Sequence, residues 1–312
     1  RIARLVEERG IKVRPPIVFE GNVAPDPTNN EPLTALLEAD SYPEPLPKAS
    51  LAWLGEPVAI KAPTAMHFRR QAGSHLLIVG QNEEAARGLM ATAMISLGAQ
   101  RPDARLVLFD GTPSDDPRSG ELPRIARSLP NEVLVATWGQ VESSLAEVAR
   151  DVERRRDEGI TDEPPVYLMI HDLQRFRQLR KSEDVFSFSN PVSNVPAKHW
   201  ELIRRILREG PVLGVHVMFW VDTLNNLNRT FDRATLRELE HRVLFQMSST
   251  DSSTLIDSPL ANRLGMNRAL LVSEEAGQME KFRPYGPPTE AWVRQAAERL
   301  KSRSTKDFPP SQ

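Results

Sequence analysis

The sequence predicts an α/β fold with a mostly parallel central sheet and helices on both of its faces. Between residues 53 and 285, apolar runs of strand length alternate with longer amphipathic segments. The segments between the strands are long enough to hold the helix that joins two parallel strands. Right-handed crossovers are the rule for such connections, and ligands of these sheets bind at the carboxyl ends of the strands.

The periodicity of the apolar residues locates each element in turn. The predicted strands are 53–60, 75–79, 105–110, 132–137, 166–170, 215–221 and 242–247. The predicted helices are 83–97, 140–158 and 200–209, and Gly159 is a stop signal for the second of them. Polar or glycine residues that follow strands are expected at the ligand-binding edge of the sheet. They are Gly80, Asp110, His171, Asp172 and Asp222.

Proline is dense before the first predicted strand. The prolines are Pro15, Pro16, Pro25, Pro27, Pro32, Pro43, Pro45 and Pro47. Proline fixes φ and removes a backbone donor, so we predict a linker or an arm laid across a neighbour, with helix candidates only at 2–8 and 32–39. The predicted division is an arm at 1–52, a domain at 53–290, and a C-terminal helix with a polar tail at 291–312. Since the first residue is Arg rather than Met, we expect a piece of something longer.

Composition excludes several classes of protein. The 312 residues are 40% hydrophobic with a net charge of −2, which suits one large domain with an appendage. No apolar run approaches the roughly 18 residues of a membrane span, and no signal-like segment occurs, so we expect a soluble protein. The lack of cysteine excludes disulfides, thiol catalysis and cysteine-bound zinc, and suits the cytoplasm. The net charge does not attract DNA to the protein surface as a whole, so any DNA contact has to be local.

Residues 74–90 have the order of strand, glycine and helix that is typical of a phosphate-binding P-loop. In the pattern G-x-x-x-x-G-K-[ST], backbone N–H groups surround the phosphates, lysine neutralises their charge, and the hydroxyl ligates Mg²⁺. With Gly80 as the first glycine, alanine, alanine and arginine stand at the last three positions, and two acids precede them. The candidate loop residues are Gly80, Gln81, Asn82, Glu83, Glu84, Ala85, Ala86 and Arg87. The alternative is the ordinary strand, turn and helix of any α/β protein.

Three further stretches carry a resemblance to a known family. Residues 245–257 and 264–270 are similar to the strand, serine-rich turn and LLG-x-G hairpin of FtsK/SpoIIIE-type P-loop ATPases, and 213–219 resembles that family's A-G-I-H strand. The chain departs at Asn267, where glycine is usual, and at Asp222, where the polar sensor glutamine is expected. The resemblance covers residues 53–285 and implies a RecA-like P-loop NTPase fold. The same branch includes DNA translocases and the tandem ATPases of type VII secretion.

The chain also departs from this family at the strand that ends in acidic residues, the Walker B segment. A Walker B segment ends in Asp-Glu, where Asp holds Mg²⁺ and Glu activates water. One register puts His171 and Asp172 at these positions, and a shift by one residue puts Asp172 and Leu173 there. Either register loses one acid, and a third interpretation has Asp172 merely capping or hydrogen-bonding at a strand end.

Together these losses predict a degenerate module that does not hydrolyse ATP and serves assembly, regulation or substrate binding in a larger motor. We assign no catalytic residue and no metal ligand; ATP and Mg²⁺ are implied only by the resemblance, with weak binding or none. The resemblance further implies that the partners are neighbouring ATPase modules and that they form an oligomer, for which the resemblance suggests a hexamer. The cargo that it implies is DNA or a secreted protein. Two alternatives stay open: an atypical active DNA translocase, and a peptide- or protein-binding module independent of nucleotide.

Other candidate residues lie outside these motifs. Arg204, Arg205 and Arg208 share one helical face and are the best candidates for phosphate contacts or a trans contact to a neighbouring subunit, with simple solvation as the alternative. The 154–156 arginine run is predicted to be a solvated helix end, and His216 a core residue, since the histidines show no metal-ligand spacing. Residues 187–196 form a turn-rich stretch that is typical of a functional or disordered loop.

Overall fold

The structure, a computed structural model, describes residues 23–181, 199–274 and 276–307, with side chains up to residue 303. Within these ranges the strands form a single ten-stranded sheet with helices on both faces. The strands are β1 (Ser50–Pro57), β2 (Thr64–Phe68), β3 (Leu76–Val79), β4 (Arg105–Asp110), β5 (Glu132–Ala136), β6 (Val166–His171), β7 (Val215–Val221), β8 (His241–Leu244), β9 (Ala269–Ser273) and β10 (Gln278–Pro284).

The helices of the described ranges alternate with these strands. They are α1 (Glu31–Glu38), α2 (Glu83–Gln100), α3 (Glu121–Ser128), α4 (Val141–Asp157), α5 (His199–Glu209), α6 (Leu224–Thr230), α7 (Arg233–Leu236), α8 (Ser249–Ile256) and α9 (Glu290–Asp307). The predicted strands 105–110 and 215–221 are confirmed in full. The predicted helix 83–97 is too short by one turn, and the predicted strand 242–247 ends at Leu244 because the chain turns there into α8.

The strand order is β2-β1-β10-β9-β8-β3-β7-β6-β4-β5. The six strands from β8 to β5 pair in parallel, while β9, β10, β1 and β2 extend the sheet in antiparallel fashion. The predicted α/β class with a mostly parallel centre is confirmed. The antiparallel extension was not predicted: of its four strands only β1 overlaps a predicted strand, 53–60, because the others are short runs without a clear apolar pattern.

Alternate residues of the buried strands face two separate cores. In β3, Leu76 and Ile78 face the core covered by α2, whereas Leu77 and Val79 face the core covered by α4 and α5. Helix α2 is buried almost all round because α1, α3 and α9 pack over its outer side. A helix whose side chains are buried on every face is such a central element of a globular domain.

The described part of the predicted arm belongs to the core, contrary to the prediction. Leu33, Leu37 and Tyr42 are almost completely buried. The Tyr42 hydroxyl donates to the carbonyl of Leu300 at 3.1 Å, and the Arg303 guanidinium donates to the carbonyl oxygens at the end of α1. Apolar residues at helical spacing therefore outweigh the flanking prolines. The predicted boundary at 52/53 falls inside β1, and the one at 290/291 falls just inside α9. None of the helices in the described ranges combines the length and apolar character that a bilayer crossing requires.

Candidate functional site

The carboxyl ends of β3, β7, β6 and β4 meet at one edge of the sheet. Val79 pairs with Val221, and Asp110 pairs with His171 in the strand register. Gly80 donates its N–H to the carbonyl of Val221 at 3.1 Å, and its own carbonyl accepts from the indole of Trp220 at 3.0 Å. The sequence-predicted residues Gly80, Asp110, His171, Asp172 and Asp222 thus come together as expected from their strand-end positions.

Gly80 is required by its backbone conformation. Its φ of 129° lies in a region of backbone conformation that residues with a side chain rarely adopt. A Cβ added at this position would lie 2.8 Å from the Cβ of Phe245. The turn after it is short, because α2 begins at Glu83. Asn82 caps that helix by accepting from the N–H of Ala85 at 3.1 Å.

This early helix start changes the geometry of the P-loop-like segment. The pattern G-x-x-x-x-G-K needs four loop residues after the first glycine, but here only Gln81 and Asn82 precede the helix. Ala85 and Ala86 lie in the first turn of α2 and are buried, with Ala86 0% exposed. The position expected for the phosphate lysine therefore faces the core.

Arg87 stands at the position of the hydroxyl residue, and its side chain is 1% exposed. Its guanidinium donates to Glu83 at 2.5 Å and to the hydroxyl of Thr112 at 3.2 Å. Glu84 lies 3.8 Å from Arg118. Both acids of the segment are therefore paired with arginines.

A buried polar chain continues from Thr112 across the strand ends. The Asp110 carboxylate accepts from the Thr112 hydroxyl at 2.6 Å and from its N–H at 3.1 Å, and Nδ1 of His171 lies 3.3 Å away. Burial alone would raise the pKa of Asp110, but hydrogen bonds from His171 and Thr112 outweigh it and hold the pKa below its ordinary value. His171 packs on Trp220 with ring centroids 4.9 Å apart, and its Nε2 has no hydrogen-bond partner in the described part of the chain.

Asp172 adopts a left-handed conformation, with φ 64°, which is uncommon for a residue other than glycine. Its carboxylate accepts from the side chains of Gln174 and Arg175. Burial raises its pKa, and Arg175 opposes that change. The next residue, Leu173, is 0% exposed. These contacts agree with the interpretation in which Asp172 is hydrogen-bonded locally at a strand end.

A cleft of about 180 Å³ opens beside Gly80, smaller than the roughly 300 Å³ at which ligand pockets begin. It is lined by Gly80, Gln81, Asp222, Gln246, Ser248 and Asp251, among others. Within it, Asp222 already accepts from Thr223 at 3.1 Å and from Asn226 at 2.8 Å. Gln246, Ser248 and Asp251 were not predicted as site residues, although their stretch carried the family resemblance.

The three predicted surface arginines lie elsewhere, in a groove of about 330 Å³ between α5 and α7. Arg205 is paired with Glu153, Arg208 with Glu209 at 2.7 Å, and Arg204 lies over the ring of Trp200 at 5.3 Å. The carbonyl of Leu207 contacts the ring of His75, just before β3. This half of α5 therefore lies toward the amino ends of the strands, away from Gly80.

Two predictions concern residues outside the site: the prediction for His216 is confirmed, and the prediction for Arg155 is wrong. His216 is buried and hydrogen-bonded through Nδ1 to the carbonyl of Ser74 at 2.9 Å, as predicted for a core residue. Arg155 was predicted to be solvated but is 4% exposed. It turns inward because Asp151 and the carbonyls of Pro164 and Leu213 surround it. The turn-rich stretch 187–196 lies outside the described residues.

The fold, a mostly parallel sheet with helices on both faces, is that of RecA-like P-loop ATPases, and solved ATPase structures share it. The EssC structure with ATPases 2 and 3 from Geobacillus thermodenitrificans matches 95% of this chain and 53% of its own, at 12% identity and a TM-score of 0.58. The Thermomonospora curvata EccC structure with ATPases 2 and 3, in complex with a signal sequence peptide, matches 92% and 50%, at 14% identity and a TM-score of 0.60.

A third similar structure is the pCW3 conjugation coupling protein TcpA, in a monomer form with ATPγS. It matches 84% of this chain and 75% of its own, at 11% identity and a TM-score of 0.58. No protein-family model matches the chain, and no curated protein shows significant sequence similarity. The chain spans about half the length of the EssC and EccC structures. At these identities the likeness establishes the fold.

Proposed function

We propose that this chain is a degenerate, non-hydrolysing FtsK/SpoIIIE-type module of a larger motor, and that it serves assembly, regulation or substrate binding. The similarity to secretion ATPase modules and to a conjugation coupling protein supports a role in protein secretion or DNA transfer. The EssC and EccC structures each hold two ATPase modules, and this chain corresponds in length to about one of them.

The observation that carries the proposal is the first turn of α2. Ala86 offers no charge and faces the core, while the Arg87 side chain is engaged by Glu83 and Thr112. A transferred phosphoryl group needs positive charge placed in advance, and removal of a single such stabilising group typically costs about 10²- to 10³-fold in rate. Here the lysine and the hydroxyl are both missing, so transition-state charge has no partner at this segment.

The strand ends do not supply a replacement for Mg²⁺ binding. Mg²⁺ requires near-octahedral oxygen ligands. Asp110 is already bound by Thr112 and His171, and Asp172 by Gln174 and Arg175. The residues present therefore do not fit a bound Mg²⁺–ATP complex, and we assign no catalytic residue.

The proposed partners are neighbouring ATPase modules in an oligomer, with a hexamer as the form implied by the family resemblance. The proposed cargo is DNA or a secreted protein, and the proposed location is the cytoplasm. Arg204, Arg205 and Arg208 are the proposed residues for a trans or nucleic-acid contact.

ATP turnover tests the proposal directly. We expect the purified chain to release no phosphate from ATP and Mg²⁺ above a blank without protein. The matched control is Asp172→Ala, since a contaminating ATPase would be unaffected by that change. A turnover near the common enzymatic range, about 1 s⁻¹, that disappears in Asp172→Ala would contradict the proposal and show that the chain is an active ATPase.

A further inference from the structure

Strand β5 is one edge of the sheet, and the outer side of its backbone has no partner among the described residues. It pairs with β4 alone, in an unbroken parallel register from Arg105↔Glu132 to Phe109↔Ala136. Apart from this ladder, residues 132–136 make no further backbone hydrogen bond in the described ranges. An edge of this kind is a template on which a further strand can pair.

The opposite edge strand, β2, is protected in ways that β5 is not. Its pairing with β1 shifts register between Trp53 and Gly55, and Pro63 and Arg69 flank it. Bulges, prolines and charges are the usual means of keeping an edge from pairing. The sequence of β5 is E-V-L-V-A, and its single charge, at the first position, is neutralised by Arg105 at 2.9 Å. The centre of β5 is therefore regular, apolar and open to a further strand.

The sequence of β5 is symmetric about Leu134. In an antiparallel pair of two copies with a two-fold axis at Leu134, residues at equal distances from the axis face one another. Val133 then faces Val135 of the second copy, and such β-branched residues pack well on a pleated surface. Each Glu132 faces Ala136, so the two carboxylates are about 14 Å apart along the strands. Like charges directly opposite each other, which would destabilise the pair, are avoided.

Trp138 lies just beyond the end of β5 and is 50% exposed. Its ring packs on Phe176, with ring centroids 4.7 Å apart, and the rest of the ring faces solvent. In the symmetric pair it comes next to Pro130 of the second copy, since both are four residues from Leu134. Exposed tryptophans are typical anchors of protein interfaces. The pairing that the backbone of β5 allows therefore also covers this ring.

We propose that β5 pairs with β5 of a second copy of this chain, antiparallel about a two-fold axis at Leu134. The axis is perpendicular to the sheet, so two ten-stranded sheets join into one and the α2 sides of the two copies adjoin. A two-fold contact closes on itself and uses the same residues of both copies. The inference goes beyond the proposed function and does not depend on it, since the contact involves no residue of the carboxyl edge around Gly80.

The chain has no cysteine, so a single introduced thiol reports the pairing directly. Opposite Cα atoms of an antiparallel pair lie about 4.5–5.5 Å apart, within the span of about 4.4–6.8 Å that a disulfide bridges. Under copper–phenanthroline oxidation, Leu134→Cys should form a covalent dimer at least about tenfold faster than His67→Cys, because thiols held in a dimer meet at a roughly millimolar effective concentration. His67 is an exposed residue of the other edge strand. Non-reducing electrophoresis measures the dimer, and circular dichroism verifies folding.

Val133→Cys and Val135→Cys test the register on the same strand. In the proposed pair each of these thiols is diagonal to its own counterpart, about 7–8 Å away, which is too far for a disulfide. Each variant alone should therefore cross-link slowly. An equal mixture of the two should cross-link rapidly to the mixed dimer, because position 133 faces position 135.

Leu134→Lys tests the contact without an introduced thiol. A lysine at the centre of an edge strand opposes pairing, and its aliphatic stem can keep the packing of Leu134 within its own copy. By analytical ultracentrifugation, the unaltered chain and the matched variant His67→Lys should dimerise, whereas Leu134→Lys should be monomeric.

Three results would overturn the inference. They are self-association that Leu134→Lys leaves unchanged, a monomeric unaltered chain, and cross-linking of Leu134→Cys no faster than that of Val133→Cys or His67→Cys. None of these results affects the proposed function, which depends on ATP turnover by the unaltered chain.

Discussion

The Asp110 carboxylate lies 3.3 Å from Nδ1 of His171, so the ends of β4 and β6 are joined by a buried polar contact. Thr112 connects this pair to Arg87, one turn beyond the start of α2. The strand ends at which a P-loop ATPase would hold its phosphates and metal thus contact one another through side chains. This arrangement directs the predictions that follow.

Acid should destabilise the fold before ordinary carboxylates titrate. Burial lowers the pKa of His75 to about 3 and of His216 to about 4. Between the unfolded value of about 6.5 and these folded values, only the unfolded state binds the protons, so stability falls as pH falls. Each histidine should cost about 2 kcal/mol between pH 7.5 and pH 5. Urea unfolding at both pH values measures the loss.

The matched variant for this prediction is His216→Gln, which keeps a hydrogen-bonding group but cannot take up a proton. Its stability should depend on pH about half as steeply as that of the unaltered chain. Equal stability of the unaltered chain at both pH values would contradict the assigned cause.

Restoring the P-loop residues should not restore nucleotide binding. On sequence alone, Ala85→Gly, Ala86→Lys and Arg87→Ser recreate the motif and predict a gain in ATP affinity if the loop has P-loop geometry. In the structure the helix has already begun at Glu83, and residue 86 faces the core. We therefore expect no measurable ATP affinity by calorimetry and a loss of several kcal/mol in stability from burial of an unpaired lysine. A folded triple variant that binds ATP tightly would show that this segment can still form the loop.

Arg155 should matter for stability far more than its neighbour Arg154. Arg155 is buried and donates to the backbone carbonyls of Pro164 and Leu213, so Arg155→Ala leaves these carbonyls without their donor and opens a cavity, which should cost about 2–5 kcal/mol. Arg154 is 40% exposed and makes surface ion pairs, so Arg154→Ala should change stability little. Denaturant midpoints of the two variants decide between this assignment and a solvated arginine run, for which both changes would be mild.

DNA binding by this chain alone should be weak and strongly salt-dependent. The net charge is −2, and within the arginine groove Arg205 and Arg208 already have acidic partners. Phosphate contacts supply most non-specific affinity and weaken steeply between about 50 and 200 mM salt. Titration of a labelled duplex at both concentrations measures the effect. Sub-micromolar affinity at the higher salt, lost when Arg204, Arg205 and Arg208 become alanine, would instead support autonomous DNA binding.

The sequence predicted the parallel part of the sheet well because most of its strands are buried and form continuous apolar runs. It also predicted which residues meet at the carboxyl edge, since Gly80, Asp110 and Asp222 directly follow such strands. It also predicted the start of α2 at Glu83, but it did not predict that Ala86 is buried, because the helices that cover it are distant in sequence. The inward turn of Arg155 was missed because the carbonyls of Pro164 and Leu213 to which it donates lie outside α4, whose charge pattern alone indicates a solvated end.

The packing of α1 against α9 has a mechanical consequence. Arg303 and Tyr42 connect the segment that enters the sheet at β1 with the last described helix. A pull applied to the chain ahead of α1 would first load the bonds of Val23 and Pro25 to Arg283 and Gly286, and then the contacts between α1 and α9. Because Arg303 joins the two helices, displacement of α1 would also displace α9.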